Sequence, residues 1–233
     1  NDLFRYVVRG RIWAVHGQSP LVTPPNAFPD DPYLPFAGEF GGWVSGYGPL
    51  WELIVQVPLQ LGAVDMIPGS VSLKLLVLAG YLVCAVLLGW VALPEKSSSL
   101  AALTFFAWNP LILMQGPGNG HNDLIFMALM VLGLILWQRN LWWAAALALT
   151  LSALAKATGL VILPLFGIVV LRAEPTWRGR LLKAIVIGLI FAGCTLLLYR
   201  TFGPLQQTLQ GVTTVLTTRR GFAIASGLRM VLR

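Results

Sequence analysis

Charge is what this sequence has least of. Only 11% of its 233 residues are charged against 57% hydrophobic, with a mean hydropathy of +0.75, whereas soluble globular domains carry about a quarter charged residues. The shortage excludes an ordinary soluble domain and indicates a chain that passes a membrane several times. Cysteine is scarce too: Cys84 and Cys194 both lie inside apolar runs at no ligand-like spacing. That excludes a disulfide framework and a zinc site, and leaves two small core hydrophobes. No internal repeat is present, and no signal-peptide pattern opens the chain, which starts at Asn1 rather than methionine. An upstream part is therefore expected to precede it. The formal charge of +7 is scattered over the ends of apolar segments and forms no stripe, so it bears on topology and not on nucleic acid.

What is there is a succession of apolar runs. A helix needs roughly 20 such residues to cross a bilayer core, and the turn formers Pro94, Ser97 to Ser99, Gly116-Pro117-Gly118 and Arg139-Asn140 divide the chain into candidates. Spans are expected near 71–93, 99–115, 123–138, 141–155, 158–171 and 182–199. The middle pair comes from one run of about 31 residues, roughly 46 Å as a single helix. It carries Lys156-Ala157-Thr158-Gly159 at its centre and basic residues at both ends. A lysine at the centre of a span is costly, so a hairpin turning at Lys156 fits better than one crossing. The expected fold is all-α, a multi-pass transmembrane bundle of about six spans.

The positive-inside rule puts Glu95-Lys96, Arg139 and the stretch from Arg172 to Lys183 in the cytoplasm. Alternation then gathers residues 1–70, 116–123 and 156–159, and everything after Tyr199, on the opposite face. Residues 1–70 are expected as a proline-rich non-cytoplasmic loop followed by an interfacial helix in Tyr47 to Gly69, which Glu52, Pro58 and Asp65 interrupt too often for a comfortable crossing. Residues 201–233 are expected as a further non-cytoplasmic loop and the start of another helix.

One face thus collects Asp2, Arg5, His16, His121, Asp123, Lys156, Arg219 and Arg220. Each has a plain structural explanation. Asn122 or Asp123 caps the helix that starts at Leu124, Lys156 snorkels, and Arg219-Arg220 touches anionic lipid. Together they also form equipment for an anionic, lipid-linked reactant: cations for a departing phosphate and a carboxylate for an acceptor hydroxyl. A transporter or flippase is the rival reading, but the spans are nearly free of charge and unrepeated. A noncatalytic membrane subunit, with these residues as caps and snorkels, is a third.

Four stretches, "NDLFRYVVRGRIWAVHGQSPLVTPP" (Asn1 to Pro25), "YGPLW" (Tyr47 to Trp51), "NPLILMQGPGNGHND" (Asn109 to Asp123) and "AKATGLVILP" (Ala155 to Pro164), favour the first of these. In this order they resemble the motifs of bacterial GT-C class integral membrane glycosyltransferases, nearest to the polyprenol-phosphate-mannose-dependent mannosyltransferases. The resemblance covers nearly the whole chain, departing at Gly48, where relatives often carry proline, and offering no motif after Pro164. It implies that Asp2 is the catalytic base of the first non-cytoplasmic loop, with Arg5 and Tyr6 in the same motif. It also implies that His121, Asp123 and Lys156 belong to donor-binding motifs. On this reading an inverting transfer runs from a polyprenyl phosphate sugar, with mannose expected, to a lipid-linked or glycan acceptor. Arg5 sets an opposite charge beside Asp2, and Arg219 or Arg220 joins Lys156 at the phosphate. No cofactor or divalent metal is predicted.

Overall fold

The computed structural model describes residues 2–91, 96–208 and 210. Among the described residues every regular element is helical: α1 (Asp2–Ala14), α2 (Pro49–Gln60), α3 (Met66–Val91), α4 (Lys96–Ala107), α5 (Pro110–Leu113), α6 (Asp123–Gln138), α7 (Trp142–Ala155), α8 (Ile162–Arg172) and α9 (Trp177–Arg200). Short 3₁₀ segments, Pro25–Ala27, Leu34–Phe40 and Ala157–Val161, and a π turn, Met114–Gly118, complete the set. Arg219 and Arg220 lie outside the described residues, as does most of 201–233.

The boundaries have local causes. Asn109 caps α5 by accepting from the Leu111 and Ile112 amides ahead of Pro110, and Thr176 caps α9 through the Gly179 amide. Helix α6 ends in a left-handed Asn140 (φ 61°). The Leu141 amide bonds back to Leu136 O at 2.9 Å and the Asn140 amide to Trp137 O at 2.9 Å, a Schellman closure. That turn sends α7 back along α6, where Gly133 lies under Leu149 and Ser152 donates to Phe126 O at 2.8 Å.

Two helices, Met66–Trp90 within α3 and Trp177–Arg200, are long and apolar enough to cross a membrane, or three spans if the bent pair Pro110–Gly118 and Asp123–Gln138 counts as one. That pair bends by 115° at the glycine-rich connection. Helices α7 and α8 are apolar but short, at 14 and 11 residues. The run expected as one span over 99–115 is broken at Asn109-Pro110 and closes in the π turn, because proline cannot supply the amide that helix continuation needs. Helix α3 starts at Met66, ahead of the expected Val71, with Pro68 tolerated in its first turn.

The N-terminal region departs from expectation at its first helix. Residues 2–14, expected within a loop, form α1, and this helix is deeply buried: Leu3, Tyr6, Val7, Val8 and Ile12 are each at most 4% exposed. Its apolar side packs on Trp51, Val55 and Leu59 of α2, Leu73 and Val77 of α3, and Leu124 of α6. Where α1 meets α2, a Cβ at Gly10 would stand 2.5 Å from Leu59 Cδ2, which accounts for the glycine at position 10 of the first quoted stretch. A second core joins Ala145, Ala146 and Leu149 of α7 to Phe166 and Val170 of α8. Helix α9 buries none of its residues.

Candidate active site at the start of α1

Helix periodicity puts Asp2, Arg5 and Arg9 on one side of α1. Asp2 sits in the first turn, where a carboxylate also complements the helix dipole. Its Oδ1 accepts from Arg5 Nη1 at 3.0 Å, and its Oδ2 lies 3.2 Å from His121 Nδ1. Arg5 in turn lies over the Phe40 ring at 4.0 Å. Asp2, Arg5 and His121 are each about a quarter to a third exposed, so the trio is open to a reactant.

His121 reaches Asp2 because of the connection before it. Two residues past the π turn Gly120 has φ +71°, and the His121 amide bonds to Gln115 O at 3.1 Å. Left-handed backbone is readily held by glycine. Space matters as much: a Cβ on Gly120 would lie 2.7 Å from Leu3 Cδ1. The loop therefore rests on α1 at the helix's first turn.

Two residues further on, Asp123 Oδ1 takes a 2.5 Å hydrogen bond from Lys156 Nζ. Lys156 is extended (φ −148°, ψ 128°), the single residue between the end of α7 and the 3₁₀ turn, so its side chain projects from a break in the helical run. The Asn122 side chain makes no capping bond to α6, and Asp123 spends its carboxylate on Lys156, so helix capping does not account for these side chains. The loop at Tyr47 also arrives here: the Gly48 amide bonds to Ala155 O at 3.2 Å, and a Cβ at Gly48 would overlap Leu154 O at 1.9 Å. Only glycine lets the loop lie that close to the end of α7.

A cavity of about 540 Å³ opens beside Asp2, lined by Asp2, Arg5 and Arg9 of α1 and by Glu39, Phe40, Trp43 and Tyr47 of the following loop. Arg9 is 5% exposed and lies 5.6 Å from the Tyr47 ring. Behind it, Glu52 of α2 is 1% exposed and hydrogen-bonded to Ser45. Burial pushes the Glu52 carboxyl above its ordinary range, with Arg9 and the Ser45 hydroxyl opposing. Burial likewise raises the Tyr47 hydroxyl.

Asp2, Arg5 and His121 thus come together, Asp123 and Lys156 pair, and the two groups share the 121–123 connection. Two candidates lie elsewhere. Tyr6 is 2% exposed, with its ring against Tyr47 and Trp51 at 5.2 and 5.0 Å and its hydroxyl donating to Tyr47 at 3.3 Å; it supports the wall of the cavity from behind. His16 stands past the far end of α1, 2.8 Å from Asp31 and stacked on Phe28. Sequence reasoning missed Arg9, Glu39, Trp43, Tyr47 and Glu52. Arg9 had a signal, four residues after Arg5 and seven after Asp2; the others are joined to α1 by tertiary packing alone. Among the described residues no group of three or more His, Cys, Asp or Glu side chains is arranged to hold a metal.

Comparison with known proteins bears on this arrangement. Residues 1–172 match the family model described as alpha-(1->6)-mannopyranosyltransferase, N-terminal domain. The chain is similar to alpha-(1->6)-mannopyranosyltransferase A of Mycobacterium tuberculosis (strain ATCC 25618 / H37Rv), 28% identical over 187 residues that make up 76% of this chain and 34% of that protein. It therefore spans about a third of the length of that relative. No solved structure matches.

Proposed function

The chain belongs to the family of alpha-(1->6)-mannopyranosyltransferase N-terminal domains, and from that membership and the geometry around Asp2 we propose that it carries the catalytic face of a membrane mannosyltransferase. The donor is a polyprenyl phosphate sugar and the acceptor a lipid-linked or glycan hydroxyl. The reaction takes place on the non-cytoplasmic face of a cell membrane that the chain crosses about six times. The relative's printed activity and the apolar helices support the coarse reading; the donor, the face and the chemistry are our inference.

Asp2 takes the proton from the acceptor hydroxyl. The oxygen attacks the anomeric carbon from the side opposite the phosphate, the carbon–oxygen bond to phosphate breaks, and the lipid phosphate leaves with the electron pair, so the anomeric configuration inverts. Lys156, held by Asp123, stabilises the departing charge, with Arg219 or Arg220 assisting. His121 and Arg5 hold the Asp2 carboxylate on its two oxygens. An apolar groove of about 430 Å³ between α8 and α9 begins at Leu160, four residues after Lys156. It suits the hydrocarbon chain of a donor whose phosphate is at that lysine.

The observation that carries the reading is the Asp2 carboxylate, fixed by Arg5 and His121 at the mouth of a cavity. The test is transfer of label from polyprenyl phosphate [¹⁴C]mannose to a mannoside acceptor by the whole protein. Asp2→Asn should stop transfer while leaving the protein folded in the membrane; full activity in that variant removes Asp2 as the base.

A further inference from the structure

The cavity beside Asp2 has a lining that selects among ligands. Its charged groups are two guanidinium groups and two carboxylates, Arg5, Arg9, Asp2 and Glu39, so the lining is neutral overall. Arg5 and Asp2 are spent on each other at 3.0 Å. Arg9 and Glu39 are not: among the described residues neither makes an ion pair within 4 Å or a side-chain hydrogen bond. Arg9 is nine-tenths buried at the cavity wall. Arg9 lies in the field of the buried Glu52 carboxylate but donates no hydrogen bond to it, which leaves its N–H groups available to a ligand in the cavity. A phosphate would satisfy Arg9 but would meet Glu39 and Asp2 as like charges. A neutral polyol satisfies both residues at once, since its hydroxyls accept from Arg9 and donate to Glu39. The Trp43 indole lines the same cavity, 6.3 Å from Phe40 centre to centre, while Phe40 itself is covered by Arg5. An aromatic face flanked by hydrogen-bonding groups suits the C–H face of a pyranose.

We propose that this cavity is the acceptor subsite, and that it binds an uncharged pyranose of the acceptor glycan through Glu39, Arg9 and Trp43, presenting a hydroxyl to Asp2. The proposal rests on the glycosyl-transfer reading given above. Donor phosphate and acceptor sugar then contact different side chains: the phosphate Lys156, and the acceptor Glu39, Arg9 and Trp43.

Two variants test it in the whole protein reconstituted in lipid nanodiscs. Glu39 is exposed, so Glu39→Gln leaves packing untouched; Trp43→Ala removes the aromatic face, with Trp43→Phe as the conservative partner. Each of the first two should raise the acceptor KM by roughly tenfold, the scale of one lost charged hydrogen bond or ring contact, while the donor KM moves less than twofold; Trp43→Phe should recover most of the loss. Independently of turnover, ligand-observed NMR should show α-1,6-mannobiose binding to wild type and to Lys156→Gln, and not to Glu39→Gln or Trp43→Ala. In Lys156→Gln, which lacks the donor-phosphate cation, mannose 1-phosphate should not bind more tightly than methyl α-mannopyranoside. A donor KM that rises in place of the acceptor KM, unchanged kinetics in both variants, or preferential binding of the phosphorylated sugar overturns the subsite. If wild type transfers no sugar yet binds mannobiose as described, the transfer reading fails and the cavity stands as a pyranose-binding site alone.

Discussion

Replacing Gly120 by alanine separates two physical demands that meet in the connection carrying His121. The first is conformational: φ is +71°, and a non-glycine residue in left-handed backbone costs about 1–2 kcal/mol. The second is steric. The new Cβ would lie 2.7 Å from Leu3 Cδ1 and 3.5 Å from Leu3 Cγ, and Leu3 is 2% exposed, so it has no open space to move into. Overpacking of this kind costs about 1–3 kcal/mol, giving about 2–5 kcal/mol in all. For a chain of this size that corresponds to a fall in Tm of about 4–20 °C, measured by intrinsic fluorescence in detergent micelles. The division between the two costs can be read from a double-mutant cycle. In a Leu3→Ala background the steric part vanishes, and Gly120→Ala should cost only about 1–2 kcal/mol. Equal costs in the two backgrounds, or none in either, would refute the reasoning. Because relief of the contact moves the loop off α1, sugar transfer should fall further than stability.

Two other perturbations follow. Gly48→Ala puts a Cβ 1.9 Å from Leu154 O and strains the Gly48–Ala155 hydrogen bond. Because the clash is with backbone, it should destabilise by about 2–4 kcal/mol, and replacing Leu154 by a smaller residue should not rescue it in thermal melts. Asp31 bears on pH. Burial raises its carboxyl, but hydrogen bonds from His16, the Tyr33 amide and Arg11 outweigh this and hold it below the ordinary value of 3.8. Its folded-state pKa is thus depressed, so its contribution is complete above the unfolded value and is lost as pH falls through the folded one. Tm should hold near neutrality and drop below about pH 4, and Asp31→Asn should lower Tm near neutrality and flatten that acid limb.

Much of the helical layout was legible because apolar runs and turn formers are local signals: the turns at Gly116-Pro117-Gly118 and Arg139-Asn140 fall at residues that favour a turn, and the break at Lys156 follows from the cost of a charge within an apolar run. Span lengths were less legible. Whether residues 99–115 form one rod depends on how Pro110 and the π turn at Met114–Gly118 divide it, and no count of apolar residues reveals that. Helix α1 was hidden by the proline-rich stretch after it, although Leu3, Tyr6, Val7 and Gly10 repeat at helical spacing. At the site, the candidates on α1 and in the 121–123 connection were readable from motif and charge. Their pairing was not: Asp2 with His121 spans more than a hundred residues of chain, and Asp123 reaches Lys156 from another helix. Glu39 and Trp43 carried no local signal, because a carboxylate and an indole in a surface loop acquire meaning only from the α1 face opposite.

The central claim is that Asp2 removes the acceptor proton in a transfer from a lipid-linked sugar. The measurement that tests it most directly is the initial rate of [¹⁴C]mannose transfer from polyprenyl phosphate mannose by wild type, Asp2→Asn and Asp2→Glu, at matched membrane levels and matched Tm. The account predicts a loss of at least about a hundredfold for Asp2→Asn, the lower range of general-base catalysis, with partial activity in Asp2→Glu. Transfer by Asp2→Asn at the wild-type rate would contradict it.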